Sequence, residues 1–301
     1  MIKVIFPPEV QSLQYYSLCV SLIAPSDVAL KGRLIDISNH VEEYWKLFDS
    51  RVQVKQFHMF ESCLPPVRKR LPPGKKGEKP VIEPVIIAGS VSKDDLIRLY
   101  DRYMVKGRKD AKFVYNKLRA ASHNICALCG IAPANSLDHY LPKARYPIFS
   151  VSPRNLVPAC VPCNTTKGDP SYSSESELHL YPYNDSDNFY DTDWIDASIE
   201  VVDGILDFDF FANPPVHWSQ TEKNRVITHF RTFGLDGKYK VNSMQLITTI
   251  MFNIRSLLVD GDYLKVKSYY LSLVDITNPN STFRIMYKAV AGNDAICSGD
   301  F

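Results

Sequence analysis

Residues 137–143, Leu-Asp-His-Tyr-Leu-Pro-Lys, lie between two cysteine pairs, CALC (Cys126, Cys129) and CVPC (Cys160, Cys163). Each CxxC lets one tight turn deliver two sulfurs to one metal. Four thiolates at CxxC-x30-CxxC spacing therefore suit a tetrahedral Zn²⁺ with no open position, which is a structural site. A closed shell leaves no place for the nearby His123, which reads as a surface histidine. A histidine beside an aspartate inside such a metal-closed loop raises the question of what the metal holds in place. Asp138-His139 is followed in order by Asn155, by Asn164 directly after Cys163, and by Lys167.

The rest of the chain sets the bounds. Its 301 residues are 45% apolar and rich in Tyr and Phe, enough for a sizeable core and unlike a disordered chain. A net charge of +2 forecasts no partner by itself, so any nucleic-acid surface must come from local clustering. The start, MIKVIFPPEV, does not read as a secretory signal, and no apolar run approaches the roughly 18 residues of a membrane span. Seven cysteines with two CxxC pairs fit a soluble cytoplasmic chain that binds metal better than a disulfide framework. Cys19, Cys63 and Cys297 stand alone as inert thiols.

Periodicity gives the organisation. SNHVEEYWKLFDSRV repeats Val41, Tyr44, Trp45, Phe48 and Val52 at helical spacing, behind a cap at Ser38 or Asn39. LPPVRKRLPPGKKGEKPVIEP is a basic Pro/Gly-rich connector or a phosphate-contacting arm. A basic helical stretch follows, opened by Ser92 and Asp95, with Leu96, Tyr100 and Tyr103 inside and a break at Gly107. Beyond the second Cys pair, two alternating runs flank Asp203-Gly204 as a hairpin. Ser219 with Glu222 opens a helix that Gly234 ends, and Met244, Ile247, Met251, Ile254 and Leu258 mark the next one.

From Cys126 to about Asp169, the order and spacing of Asp138-His139, Asn155, Asn164 and the four cysteines resemble the HNH endonucleases. The resemblance implies a ββα-metal core, a two-stranded hairpin and a helix packed around a metal. The family's third histidine is Asn164 here, a variant found among active members. Phosphodiester hydrolysis needs an activated water, stabilised charge on the phosphate and a stabilised leaving oxygen. His139, neutral near pH 7, is then the general base. Adjacent strand residues point oppositely, and similar proteins place the pair at a strand end, so that Asp138 meets the metal while His139 faces the water. Asn155 would hydrogen-bond across the loop and orient the His139 ring. Asn164 would give its amide oxygen to a catalytic Mg²⁺ or another divalent ion opposite Asp138; its alternative role is helix capping. Lys167 is either a phosphate contact or a solvated helix lysine, and Lys143 and Arg145 either grip the substrate backbone or belong to a solvated loop.

The stretches LHLYPYND, HFRTFGLDGKY and IMYKAVAGNDAICSGDF also resemble a subgroup of stand-alone bacterial HNH proteins. That subgroup includes nucleases of phage-defence systems, of the Septu type or encoded beside retrons, which act with an ATPase partner. The expected fold is α+β. A central ββα-metal HNH core (92–180, with leading basic helices) is stapled by a four-cysteine zinc site. An N-terminal region (1–66), open to a partner contact, and a basic linker (67–91) precede it, and a hairpin plus helical C-terminal region (181–301) follows. The expected function is metal-dependent cleavage of nucleic acid, DNA before RNA, in anti-phage defence. The alternatives are a zinc-stabilised nucleic-acid-binding module and a subunit silent until a partner arrives.

Overall fold

The structure is a computed structural model that describes residues 1–10, 12–63, 83–107 and 109–301. It is a mixed α+β fold in which short two-stranded sheets are set among helices. The N-terminal region forms α1 (Ser12–Ser21), α2 (Val28–Asp36) and α3 (Ser38–Gln53). Helix α3 buries Val41, Trp45, Phe48 and Val52, the spacing read from the sequence, while Tyr44 stays 38% exposed. Ser38 and Asn39 do not cap it. Ile37 joins α2 directly to α3 and accepts from Val41 N, so no side-chain cap forms.

The part of the expected linker from 67 to 82 lies outside the described residues. The rest, 83–91, is not plain linker: β1 (Ile86–Ala88) pairs antiparallel with β2 (Val91–Ser92) through a turn that holds Gly89 at φ +53°. Ser92 then caps α4 (Lys93–Arg98) in a full capping box with Asp95, two donors satisfied reciprocally. A π-helical turn, Leu99–Val105, carries the chain on to Gly107 and α5 (Lys109–Ala120).

The cysteine region supplies β3 (Ser136–His139), β4 (Leu156–Ala159) and α6 (Val161–Lys167). The strands are antiparallel, with Asp138 opposite Val157 and His139 opposite Leu156. Every residue of β4 is buried: α5 packs against the strand, and Ala127 N of the cysteine loop donates to Pro158 O. The long crossing from 140 to 155 is backed by the N-terminal region. Trp45 Nε1 donates to Ile148 O at 2.9 Å, Phe48 packs on Phe149, and Phe57 lies between Tyr140 and Tyr181.

After α7 (Asn188–Asp191), β5 (Ile195–Val202) and β6 (Ile205–Ala212) form the hairpin around Asp203-Gly204. Both turn residues have positive φ, +53° and +75°, as the favoured two-residue turn requires. Its inner residues Leu206, Phe208 and Phe210 are buried, and β6 packs on α9 (Leu235–Leu257). Before it, α8 (Gln220–Thr232) has the Ser219–Glu222 capping box. Helices α10 (Tyr263–Asp275), α11 (Thr282–Ala291) and α12 (Asp294–Cys297) complete the fold. Among the described residues no helix is long and apolar enough to cross a membrane.

Candidate metal centre and histidine site

Cys126 and Cys129 lie on a tight knuckle. Cys126 N donates to Ala132 O, Gly130 N donates to Cys126 O, and Gly130 takes φ +70°, a conformation that suits glycine. Cys160 is the N-cap of α6, and its sulfur accepts from Cys163 N at 3.4 Å. The four sulfurs lie within 4.8 Å of one another and all four residues are buried. They could hold a metal ion such as zinc. The thiols compete for protons at this range: hydrogen bonding to Cys129 pushes Cys126 up, and hydrogen bonding to Cys126 pulls Cys160 down to about 7. All four cannot ionise together unless a cation shares the space.

His139 ends β3, buried to 7% exposure, and its ring is fixed on two sides. Nε2 lies 2.8 Å from Ser150 O, and the Tyr100 ring stands edge-on at 4.4 Å. A carbonyl only accepts, so Nε2 carries the proton and Nδ1 is the basic nitrogen. Burial, reinforced by the Lys143 charge, pushes the imidazole down to about 3, so the ring is neutral at pH 7.

Asn155 makes the cross-loop bonds that the resemblance implies, and it reaches the His139 ring through backbone and not by direct contact. It is fully buried. Its Oδ1 accepts from Leu141 N at 2.8 Å, and its Nδ2 donates to Leu141 O at 3.0 Å and Phe149 O at 3.3 Å. Asn155 therefore clamps the crossing, and the crossing presents the Ser150 carbonyl that aims His139. Ser150 is in turn anchored through its hydroxyl to Leu96 O at 2.9 Å. Asn155→Ala should lower stability by about 2 kcal/mol, because it leaves the Leu141 N–H and carbonyl unpaired in the interior, while Phe149 O keeps its bond from Ser152 N. Urea unfolding measures this, and an unchanged midpoint would mean the clamp does not exist.

Asp138 faces away from His139, 3% exposed. Its Oδ2 accepts from Lys167 Nζ at 2.6 Å. Lys167 is thus neither solvated nor surface-presented: its side chain is 1% exposed and also donates to His139 O. Burial raises Asp138 and lowers Lys167, while each opposes the other's shift through their mutual charge. Asn164 lies on α6 one residue past Cys163 and donates through Nδ2 to Ser136 Oγ and Leu137 O, both at 3.3 Å. The Leu137 carbonyl requires the NH₂ on that side, so Oδ1 points off the strand. Lys143 is held by Asp101 at 2.6 Å, with its ammonium 4.7 Å from the Tyr100 ring centre, and Arg145 donates to Asp169 O.

A second group of buried polar residues, not singled out as a site in the sequence, docks the C-terminal half onto the cysteine knuckle. His229 on α8 lies with Nε2 2.7 Å from Leu128 O, inside CALC, and accepts from Leu180 N at Nδ1. Arg225, one turn earlier, makes a forked pair with Asp185 at 3.0 and 2.7 Å. The stretches LHLYPYND and HFRTFGLDGKY are therefore where the knuckle meets its support. Alternating polar and apolar residues there hint at burial, but the partners lie 40 and 101 residues apart.

No protein family model matches the chain, and no solved structure matches it. The chain is similar to Protein ea31 of Escherichia phage lambda, at 27% identity over 235 residues that cover 72% of this chain and 79% of that protein.

Proposed function

We propose that the protein is a metal-dependent endonuclease of the HNH type, hydrolysing phosphodiester bonds in nucleic acid, with DNA as the first substrate to test. The observation that carries this reading is His139. It is a buried imidazole at the end of a strand whose Nε2 is committed to the Ser150 carbonyl, which leaves Nδ1 as the basic nitrogen. This arrangement suits a general base, with Nδ1 taking the proton of an attacking water. Ser150, Tyr100 and the Asn155 clamp keep that nitrogen aimed, and preorganisation of this kind is what a positioned base needs.

The cysteine cluster suits Zn²⁺. Tetrahedral Zn–S bonds of about 2.3 Å separate sulfurs by about 3.8 Å, and the four sulfurs here lie within 4.8 Å of one another. Asp138 and the Asn164 amide oxygen would hold a catalytic divalent ion, as hard oxygen donors that suit Mg²⁺. The Lys167 ammonium already balances Asp138 at 2.6 Å, so an ion at that carboxylate would replace one cation by another. When bound, such an ion supplies Lewis-acid stabilisation of the phosphate and of the leaving oxygen. A role in phage defence beside an ATPase partner is the wider setting that the family resemblance implies, and co-expression with neighbouring genes tests it.

Plasmid nicking with Mg²⁺ and with EDTA is the direct test, and cleavage only with metal is the expected result. Binding without cleavage under every condition would leave a zinc-stabilised binding module in its place.

Asn164 separates its two roles by metal preference. An amide oxygen suits Mg²⁺, whereas an imidazole favours later metals. Asn164→Ala should weaken activity, partly recovered at high Mg²⁺, and Asn164→His should move the optimum toward Mn²⁺, Co²⁺ or Ni²⁺. Asn164 does not cap α6, whose N-cap is Cys160; a residue that only braces α6 to Leu137 O would instead lose about 1 kcal/mol of stability, the worth of an ordinary hydrogen bond, with no change of metal. An unaltered metal profile in Asn164→His removes the residue from the site.

A further inference from the structure

Lys167 ends α6, and Gly168 follows at φ +62°, so the chain turns away while the lysine stays inside. Its ammonium donates to Asp138 Oδ2 and to the backbone carbonyl of His139. Among the described residues Lys167 is the one cation paired with Asp138. A carboxylate this buried keeps its charge only beside a cation, and an ammonium this buried keeps its own only beside an anion.

We propose that Lys167 is the resident cation of the site: its ammonium balances Asp138 in the metal-free chain, and a divalent metal enters by taking Asp138 from it. The proposal deepens the nuclease reading and rests on it, since it takes Asp138 as the metal's ligand. One carboxylate cannot balance a dication and an ammonium together, and in a poorly screened interior the two cations repel strongly. The ammonium sits on a flexible four-carbon stem and can swing off. Once displaced, it carries three free donors next to the place where a phosphate would come, so phosphate binding by Lys167 would begin only after the exchange. The metal-free arrangement is then a closed, charge-neutral form of the site.

The exchange is measured without any cleavage. Lys167→Met keeps the length of the stem and removes the charge. In calorimetric titrations of the full, zinc-loaded chain with Mn²⁺, it should bind about tenfold tighter or more than wild type, because no ammonium has to be displaced. A Lys167→Met chain that is soluble only when Mn²⁺ is supplied would support the same exchange. In the wild type, the Lys167 Nζ resonance, protected in the metal-free chain, should merge with freely exchanging lysines when Mg²⁺ is added. Equal Mn²⁺ affinity in the two chains, an Nζ signal unmoved at saturating Mg²⁺, or no Mn²⁺ binding by either chain overturns the proposal. The nuclease reading is judged separately, by whether wild type cuts and His139→Ala does not.

Discussion

His139→Ala should cut nucleic acid about 10²- to 10⁴-fold more slowly than wild type, the usual contribution of a positioned general base. The fold should survive. The ring makes one hydrogen bond, to Ser150 O, and one edge contact, with Tyr100, so truncation leaves a single carbonyl to find water. Metal content should be unchanged, because the sulfurs belong to a separate centre. The measurement is a single-turnover nicking assay beside a melting curve and a zinc determination. Cleavage at the wild-type rate would remove His139 from the chemistry. Slow cleavage with a collapsed melting curve would mean the residue had been structural.

Cys126→Ser and Cys160→Ser should fail in the opposite way, losing bound metal and soluble yield together. Structural zinc contributes about 10–16 kcal/mol in small zinc-folded peptides, as much as a domain's whole net stability of about 5–15 kcal/mol. Here the damage should spread beyond the knuckle. Leu128, between Cys126 and Cys129, receives His229 from α8, and Cys160 caps α6, which carries Asn164 and Lys167. Loss of a metal from this cluster should therefore undock the C-terminal half and loosen the candidate site at once. Metal analysis, soluble yield and near-UV circular dichroism are the measurements. A soluble, metal-free and fully active variant would show the cysteines to be incidental.

The features legible in the sequence are those set within a few residues. Two CxxC turns converge because each pair is local and the hairpin between them brings their ends together. Asp203-Gly204 forms its turn because both residues tolerate positive φ. The capping boxes of α4 and α8 close between residues three apart. The apolar stripe of α3 is buried because 3.6-residue periodicity puts Val41, Trp45, Phe48 and Val52 on one side. Ser38 misled because a capping residue is useful only where helix donors are free, and the preceding helix runs straight in through Ile37.

What surrounds Asp138 and His139 was decided by tertiary structure. The partner of the imidazole is a backbone carbonyl, a group every residue carries, so nothing in the letter at position 150 could announce it. Tyr100 reaches the ring from a π-helical turn far earlier in the chain, and Asn155 spends its amide on the backbone of the crossing. Lys167 looks like any lysine at a helix end. It is buried because α6 docks beside β3 with Asp138 inside, and that docking depends on a contact 29 residues away. Periodicity and capping are energies of neighbouring residues and can be summed along the chain. The burial of a charge is an energy of everything packed around it, and it has no value until the fold has closed.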